Sequence, residues 1–304
     1  MPVSQKALDT LKLFAQSCGA DVLEHEPMCR HTTFKIGGPA DLLISPLNAD
    51  AYAPLLACAA SENVPVFILG NGSNLLFSDR GFRGAVIKSC PAGEITAEGT
   101  FLRCSSGEKL SDICVFAREK GLAGLEFAYG IPGSVGGAVY MNAGAYGGEM
   151  KDVVFATRHL NGGSVGGFAK EQLCFSYRTS AYTGTGLFIT DVTFALRAGD
   201  KAEIDEKMCD YLARRREKQP LEWPSAGSVF KRPPGHFAGT MIEQCGLKGA
   251  RVGGAMVSEK HAGFIVNAGG ATCADVLGLV AQIKKTVYEE TGVSLECEIK
   301  VAGE

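Results

Sequence analysis

The sequence predicts an α+β protein of two domains, and three observations carry that prediction. A continuous apolar run, Pro65-Val66-Phe67-Ile68-Leu69, follows a strand and a helix, which makes a β-α-β unit near the start. Segments 153–160, 164–168 and 187–196 then alternate as antiparallel strands do. After an Ala198-Gly199 break, an amphipathic helix at 200–218 opens a second region that ends in a long helix and a closing strand. A chain of 304 residues has the length for two such cores.

The elements follow in order. Ser4 is placed to cap a helix with Ala7, Leu8, Leu11, Phe14 and Ala15 on one face, and Gly19 ends it. A short strand at 22–26 and a turn-rich stretch at 31–39 lead to the strand 40–45, after which Asn48 caps a helix reaching Glu62. The apolar run at 65–69 reads as a strand buried on both faces. Strands at 85–88 and 101–105 precede a helix with Leu110, Ile113, Cys114 and Ala117 on one side. In the second region Ser228 ends a loop of small residues entering a short strand, Val229-Phe230. Further strands lie at 255–257 and 264–267, and a helix at 272–291 turns Val276, Leu279, Val280, Ile283 and Val287 inward. The closing strand, 295–301, alternates Glu296, Glu298 and Lys300 against Leu295, Cys297, Ile299 and Val301.

Two glycine-rich stretches stand out. Residues 126–148, EFAYGIPGSVGGAVYMNAGAYGG, set glycines among apolar residues, so the backbone there passes close to something: a flat or phosphorylated ligand, or the protein's own core in tight turns. The loop Gly70-Asn71-Gly72-Ser73-Asn74-Leu75 follows the apolar run and begins like a dinucleotide fingerprint. Its third glycine position is Leu75 and no helix follows, so that reading fails. Its backbone N–H groups and neutral side chains still suit a diphosphate, as they would suit a plain turn. Arg178 in SYRTS is either an anion clamp or half of a surface ion pair. Around Ser228 neither G-x-S-x-G nor S-x-x-K is present, so a hydrolase nucleophile is not indicated.

Composition excludes several classes. A net charge of -3 and a pI near 6.0 argue against a nucleic-acid face. The Arg214-Arg215-Arg216 run reads as a solvated helix face that could help bind a phosphate. No apolar leader and no apolar run near 18 residues is found, so we expect a cytoplasmic protein without a membrane segment. Eleven cysteines without a C-x-x-C pair read as free thiols in a reducing compartment, with no structural metal.

Six segments, HTTFKIGGPADLL, LGNGSNLLFSDRGFRG, GLEFAYGIPGSVGGAVYMNAGAYGGEMKDV, SYRTSAY, KQPLEWPSAGSVFKRPPGHFAG and LECEIKVAG, together resemble the UDP-N-acetylenolpyruvoylglucosamine reductases, in that family's order and in its shorter form. The resemblance implies a two-lobed FAD-binding region of the vanillyl-alcohol-oxidase and CO-dehydrogenase (PCMH) type at 1–199, with lobes at about 1–90 and 91–199. A C-terminal α+β substrate-binding domain at 200–304 would follow, its last strand at about 295–301 bringing Glu298 to the active site. Gly70, Asn71, Gly72, Ser73, Asn74 and Leu75 would meet the FAD diphosphate. Gly130, Pro132, Gly133, Ser134, Gly136, Gly137 and Asn142 would pass along the flavin. Arg178, Ser228 and Glu298 match the family's active-site arginine, proton-donating serine and carboxylate, and Lys218 matches a lysine that contacts substrate. At Arg232 the chain departs from the many members that carry asparagine there.

The implied reaction is reduction of a UDP-sugar enol ether with NADPH through non-covalent FAD, in ping-pong fashion, for peptidoglycan precursor synthesis. It calls for no metal, nucleic acid or obligatory protein partner. Two other readings stay open on the residues alone: a flavin oxidase with covalently attached flavin, and a non-catalytic UDP-sugar or nucleotide binder.

Overall fold

The computed structural model describes residues 3–303, which divide into two compact units. One holds the chain up to Glu24, Leu42–Asn71 and Gly84–Arg215; the other holds His25–Asp41, Gly72–Arg83 and the chain from Arg216 onward.

In the first unit α1 (Gln5–Ser17) starts where Ser4 Oγ accepts from the Ala7 N–H, and Asn48 accepts from Ala51 ahead of α2 (Tyr52–Ser61). Leu8, Leu11 and Leu55 of these helices share a core with Leu42, Ile44 and Ile87. Those last three belong to a four-stranded sheet ordered Ala20–Pro27, Pro39–Pro46, Phe82–Lys88, Val66–Leu69, in which the last two strands are parallel. The division between units falls inside the first three of these strands. Val66–Leu69 is an edge strand, and only Leu69 is buried, so the apolar run is not covered on both faces as its composition suggested.

A second sheet is antiparallel throughout, in the order Ser164–Ala169, Val154–Asn161, Phe188–Ala195, Phe101–Ser105, Thr96–Glu98. It packs on a separate core that includes Leu102, Val192 and Phe194 with Leu110, Ile113, Cys114 and Ala117 of α3 (Leu110–Glu119). A short helix, α4 (Val135–Tyr140), rises out of the glycine-rich stretch, where no helical period is visible in the sequence. α5 (Lys201–Lys218) buries only Ile204 and Met208.

The second unit contains an antiparallel sheet ordered Ser225–Ser228, Phe264–Asn267, Ala255–Val257, Arg251–Val252. It also holds α6 (Ala238–Gln244) and α7 (Cys273–Thr291), whose inward residues are those the periodicity predicts. The closing strand is shorter than expected, Lys300–Ala302, and pairs in parallel with Leu75–Phe77. Leu295 and Ile299 are buried, but Val301 is exposed. Alternation fails there because the chain changes partner, from Phe230 opposite Cys297 to Leu75 opposite Lys300.

The expected boundary at 199 also differs from the observed division, which lies at Arg215 within α5 and gives residues 25–41 and 72–83 to the second unit. Phe34, Ile36 and Leu76 fill its core, and Asp79 caps α7 by accepting from the N–H groups of Cys273 (2.7 Å) and Ala274 (3.0 Å). No local sequence signal links Asp79 to a helix nearly 200 residues later. Among the described residues no helix is long and apolar enough to cross a membrane, and the eleven cysteines are free.

Candidate functional site

The glycines of the first unit have distinct reasons to be glycine. A Cβ on Gly136 would come within 2.8 Å of Ser106 Cβ, and one on Gly148 within 2.6 Å of the Phe127 ring. One on Gly70 would sit 2.3 Å from Ser134 Oγ. Close approach at these positions is to the protein itself, which is the plainer of the two sequence readings. The segment is knit to its neighbours: the Asn71 amide donates to Pro132 O (2.5 Å), Gly136 N–H to Ser106 O (2.8 Å) and Val135 N–H to Glu108 O (2.8 Å). Ser134 caps α4 by accepting from the Gly137 N–H. Gly70, Asn71, Pro132, Ser134, Gly136 and Gly137 are thus brought together.

Gly130 is different. A Cβ there would stand 3.0 Å from Arg215 Cδ. Arg215 is half-buried, has no hydrogen-bonding or ion-pair partner among the described residues, and lies near the stacked Tyr146 and Tyr211 rings, 4.6 Å apart. Burial pulls its guanidinium below the usual arginine range. Of the three-arginine run, Arg214 pairs with Asp210 at the surface, whereas Arg215 presents a desolvated cation beside glycine-rich backbone. That donor set, a neutral loop and a half-buried cation without a carboxylate, fits an anionic dinucleotide. The helical period of α5, which turns only one arginine of the run inward, was the signal for Arg215.

Asn142 spends its side chain inside the protein. It is fully buried, its two amide hydrogens go to Glu149 Oε2 (2.8 Å) and Ser176 O (3.0 Å), and its Oδ1 accepts from the Lys151 N–H (2.9 Å). No side-chain donor is left for a flavin. Its partner Ser176 begins the turn that carries Arg178, whose backbone is left-handed (φ 59°) and whose guanidinium lies 5.1 Å from the Tyr177 ring centre.

In the second unit Gly72 has φ 63°, and a Cβ on it would meet His31 O at 2.4 Å and Thr32 Cα at 2.9 Å. Its carbonyl accepts from the Thr33 N–H (3.2 Å). Asn74 is spoken for in part: its amide donates to Glu298 O (3.3 Å), and its own carbonyl accepts from Lys300 N (3.0 Å). Ser73 is half-buried, and Leu75 opens a strand.

Ser228 lies in a strand, not at the end of a loop. Ser225 and Ser228 pair with Val266 and Phe264, with a bulge between them where Gly227 takes φ 78°. Beyond it the chain switches neighbour: Val229 O accepts from the Glu298 N–H (2.7 Å), Phe230 faces Cys297, and Lys231 N–H donates to Glu296 O (2.8 Å). Glu298 is thereby held across from Val229, the residue after Ser228, and its carbonyl also accepts from the Asn74 amide. Lys218 is exposed. Next to it, Gln219 Oε1 is buried with no hydrogen-bond partner, at a position that no sequence signal singles out. Arg232 stacks 3.8 Å over the Phe237 ring.

The chain matches two family profiles: an FAD binding domain over residues 40–165, and the C-terminal domain of UDP-N-acetylenolpyruvoylglucosamine reductase over residues 219–302. It is 47% identical over 284 residues to a UDP-N-acetylenolpyruvoylglucosamine reductase of Clostridium perfringens, covering 93% of each chain. To one of Clostridium botulinum it is 48% identical over 285 residues, with the same coverage. The crystal structure of the Thermus caldophilus reductase superposes with a TM-score of 0.78 at 37% identity, covering 93% of this chain and 98% of that one. The fold class is the expected one, a PCMH-type FAD-binding region followed by a C-terminal α+β domain.

Proposed function

The chain belongs to the UDP-N-acetylenolpyruvoylglucosamine reductase family, and from that premise we propose that it reduces UDP-N-acetyl-3-O-(1-carboxyvinyl)-glucosamine to UDP-N-acetylmuramate with NADPH, in the cytoplasm. It is an FAD-dependent oxidoreductase of peptidoglycan precursor synthesis. We take the FAD to be non-covalent, with Gly70 to Leu75, the 130–137 segment and Arg215 as its contacts and without the Asn142 side chain. We also take residues 200–304 to serve mainly substrate binding.

Bound FAD would supply the hydride relay between NADPH and the terminal methylene carbon of the enol ether. Everything else falls to side chains. Negative charge builds on the carboxylate side of the double bond, and the planar fork of Arg178 can take it through two parallel hydrogen bonds. The carbon next to the ether oxygen then needs a proton, which Ser228 supplies. Glu298, held across from Val229 one residue along from Ser228, assists reprotonation of that hydroxyl. Lys218 binds substrate.

The observation that supports the reading is the main-chain bond from Glu298 N–H to Val229 O at 2.7 Å, which holds Glu298 across from the residue that follows Ser228. The test is stopped-flow absorbance of the flavin in each half-reaction. Ser228→Ala should leave reduction by NADPH nearly unchanged and slow reoxidation by substrate by roughly 10²-fold or more. Equal slowing of both halves, or none of the second, removes Ser228 from the chemistry.

A further inference from the structure

Resting on the reading of Arg178 as the substrate's carboxylate clamp, we propose that Asn142 is the positioning residue that sets the Arg178 turn, and that it acts on the reaction only through Arg178.

The turn is small and closed on itself. Ser176 N–H donates to Thr179 O (3.1 Å), Thr179 N–H donates to Ser176 O (3.2 Å), and the two hydroxyls share a 2.5 Å hydrogen bond. Arg178 sits in this turn with a left-handed backbone, a conformation that a residue with a β-carbon keeps only where its surroundings impose it. Cys174, just before the turn, is left-handed as well (φ 46°). Left-handed backbone at Cys174 and at Arg178 itself makes the direction in which Arg178 leaves the chain sensitive to what braces the turn.

The bracing comes from the end of α4. Tyr140 O accepts from Ser180 Oγ (2.9 Å) and Thr183 Oγ1 (3.3 Å), and its hydroxyl accepts from the Gly184 N–H (3.2 Å). These bonds fasten the segment downstream of Arg178. Asn142 fastens the turn itself, donating to Ser176 O, the carbonyl that also receives the Thr179 N–H. It is held for that task from two sides, by Glu149 Oε2 on its second amide hydrogen and by the Lys151 N–H on its oxygen. Lys151 also pairs with Glu149 at 3.2 Å, which keeps the carboxylate facing Asn142. A residue whose backbone is itself left-handed (φ 43°) and whose amide is fully used has no other visible task at this depth.

Asn142→Gly removes the side chain while keeping the left-handed backbone easy, so it separates bracing from backbone strain. With flavin bound, it should reduce with NADPH at the wild-type rate and slow reoxidation by substrate about tenfold or more, with KM rising for the enol ether and not for NADPH. Combined with Arg178→Lys, it should add little further slowing, because a misplaced clamp and a poor clamp fail at the same contact. Glu149→Ala, at a half-exposed position, is the second variant and should show the same pattern at smaller size should Asn142→Gly not fold.

Wild-type reoxidation in both bracing variants overturns the proposal. So does slowing of both half-reactions, loss of bound flavin, or slowing that multiplies fully with that of Arg178→Lys. If Arg178→Lys alone reoxidises as the wild type does, the clamp reading has failed instead, whatever the bracing variants do.

Discussion

In the second unit Ser228 and Glu298 are fixed by main-chain bonds: a strand pair, a bulge at Gly227, and the Glu298 N–H on Val229 O. In the first unit Arg178 rides on a turn fixed largely by side chains, with Asn142, Ser180 and Thr183 supplying bonds and the turn's own hydroxyls closing it. The difference bears on what substitution can do. A backbone frame survives loss of any side chain along it and fails where the backbone can no longer approach, whereas a side-chain frame fails one residue at a time. A hydroxyl that need only be presented suits the first kind of support. A fork that meets a carboxylate in plane, as proposed for Arg178, calls for an adjustable second kind.

The hardest test of the backbone frame is Gly72→Val. Because a Cβ would overlap His31 O and φ is positive, the β-branched side chain adds strain to a clash with main chain, and a loss of several kcal/mol is expected. The variant should accumulate as unfolded or aggregated protein, and circular dichroism with a melting curve checks it. A folded variant lacking only flavin would show that Gly72 is glycine for the diphosphate's sake and that the His31 contact yields.

Gly227→Ala separates strain from clash. Gly227 has φ 78°, and a Cβ added there would meet nothing within 4 Å, so only the left-handed backbone is penalised, by about 1 kcal/mol. Denaturant unfolding should move by that amount. A loss as large as that of Gly72→Val would mean that the bulge beside Ser228 is braced by contacts beyond its backbone conformation.

How much of this was legible in the sequence follows from the same contrast. Helices with a full apolar period and a cap, such as α1 after Ser4 and α7 after Thr272, are local events, and their inward residues match. The antiparallel strands at 154–169 and 188–195 are local in the same sense. What escaped is set by partners distant in sequence. Nothing near Val66–Leu69 says that it is an edge strand, and nothing near residue 295 says that the closing strand will change neighbours midway. The glycine-rich stretches show the ambiguity most clearly: composition says that something passes close, and only the folded chain says that at Gly136 it is Ser106 and at Gly130 it is Arg215. Family resemblance, carried by six motifs in order, supplied the residues proposed as catalytic where local chemistry left a loop serine, a lone arginine and a strand glutamate.

The smallest expected effect sets the two units apart by pH. His261, in the second unit, accepts from the Gly263 N–H through Nδ1, and burial lowers its pKa below the ordinary 6.5. Lys248 adds to that lowering, while the carboxylate of Glu243 and the ring's own backbone hydrogen bond oppose it. A lowered histidine pKa means that the unfolded chain takes up a proton first as pH falls. Its contribution to stability is therefore complete above about 6.5, is lost as pH drops from there toward the folded-state pKa, and then levels off. His159 in the first unit is lowered by burial too, so the whole protein should soften in mild acid, and the units must be read separately. Trp223 is the single tryptophan and belongs to the second unit, so its fluorescence reports that unit's unfolding. Between pH 8 and pH 5 the Trp223-detected midpoint should fall by a few degrees, and His261→Asn should remove most of that slope. An unchanged slope in the variant would assign the acid sensitivity of the second unit to other groups.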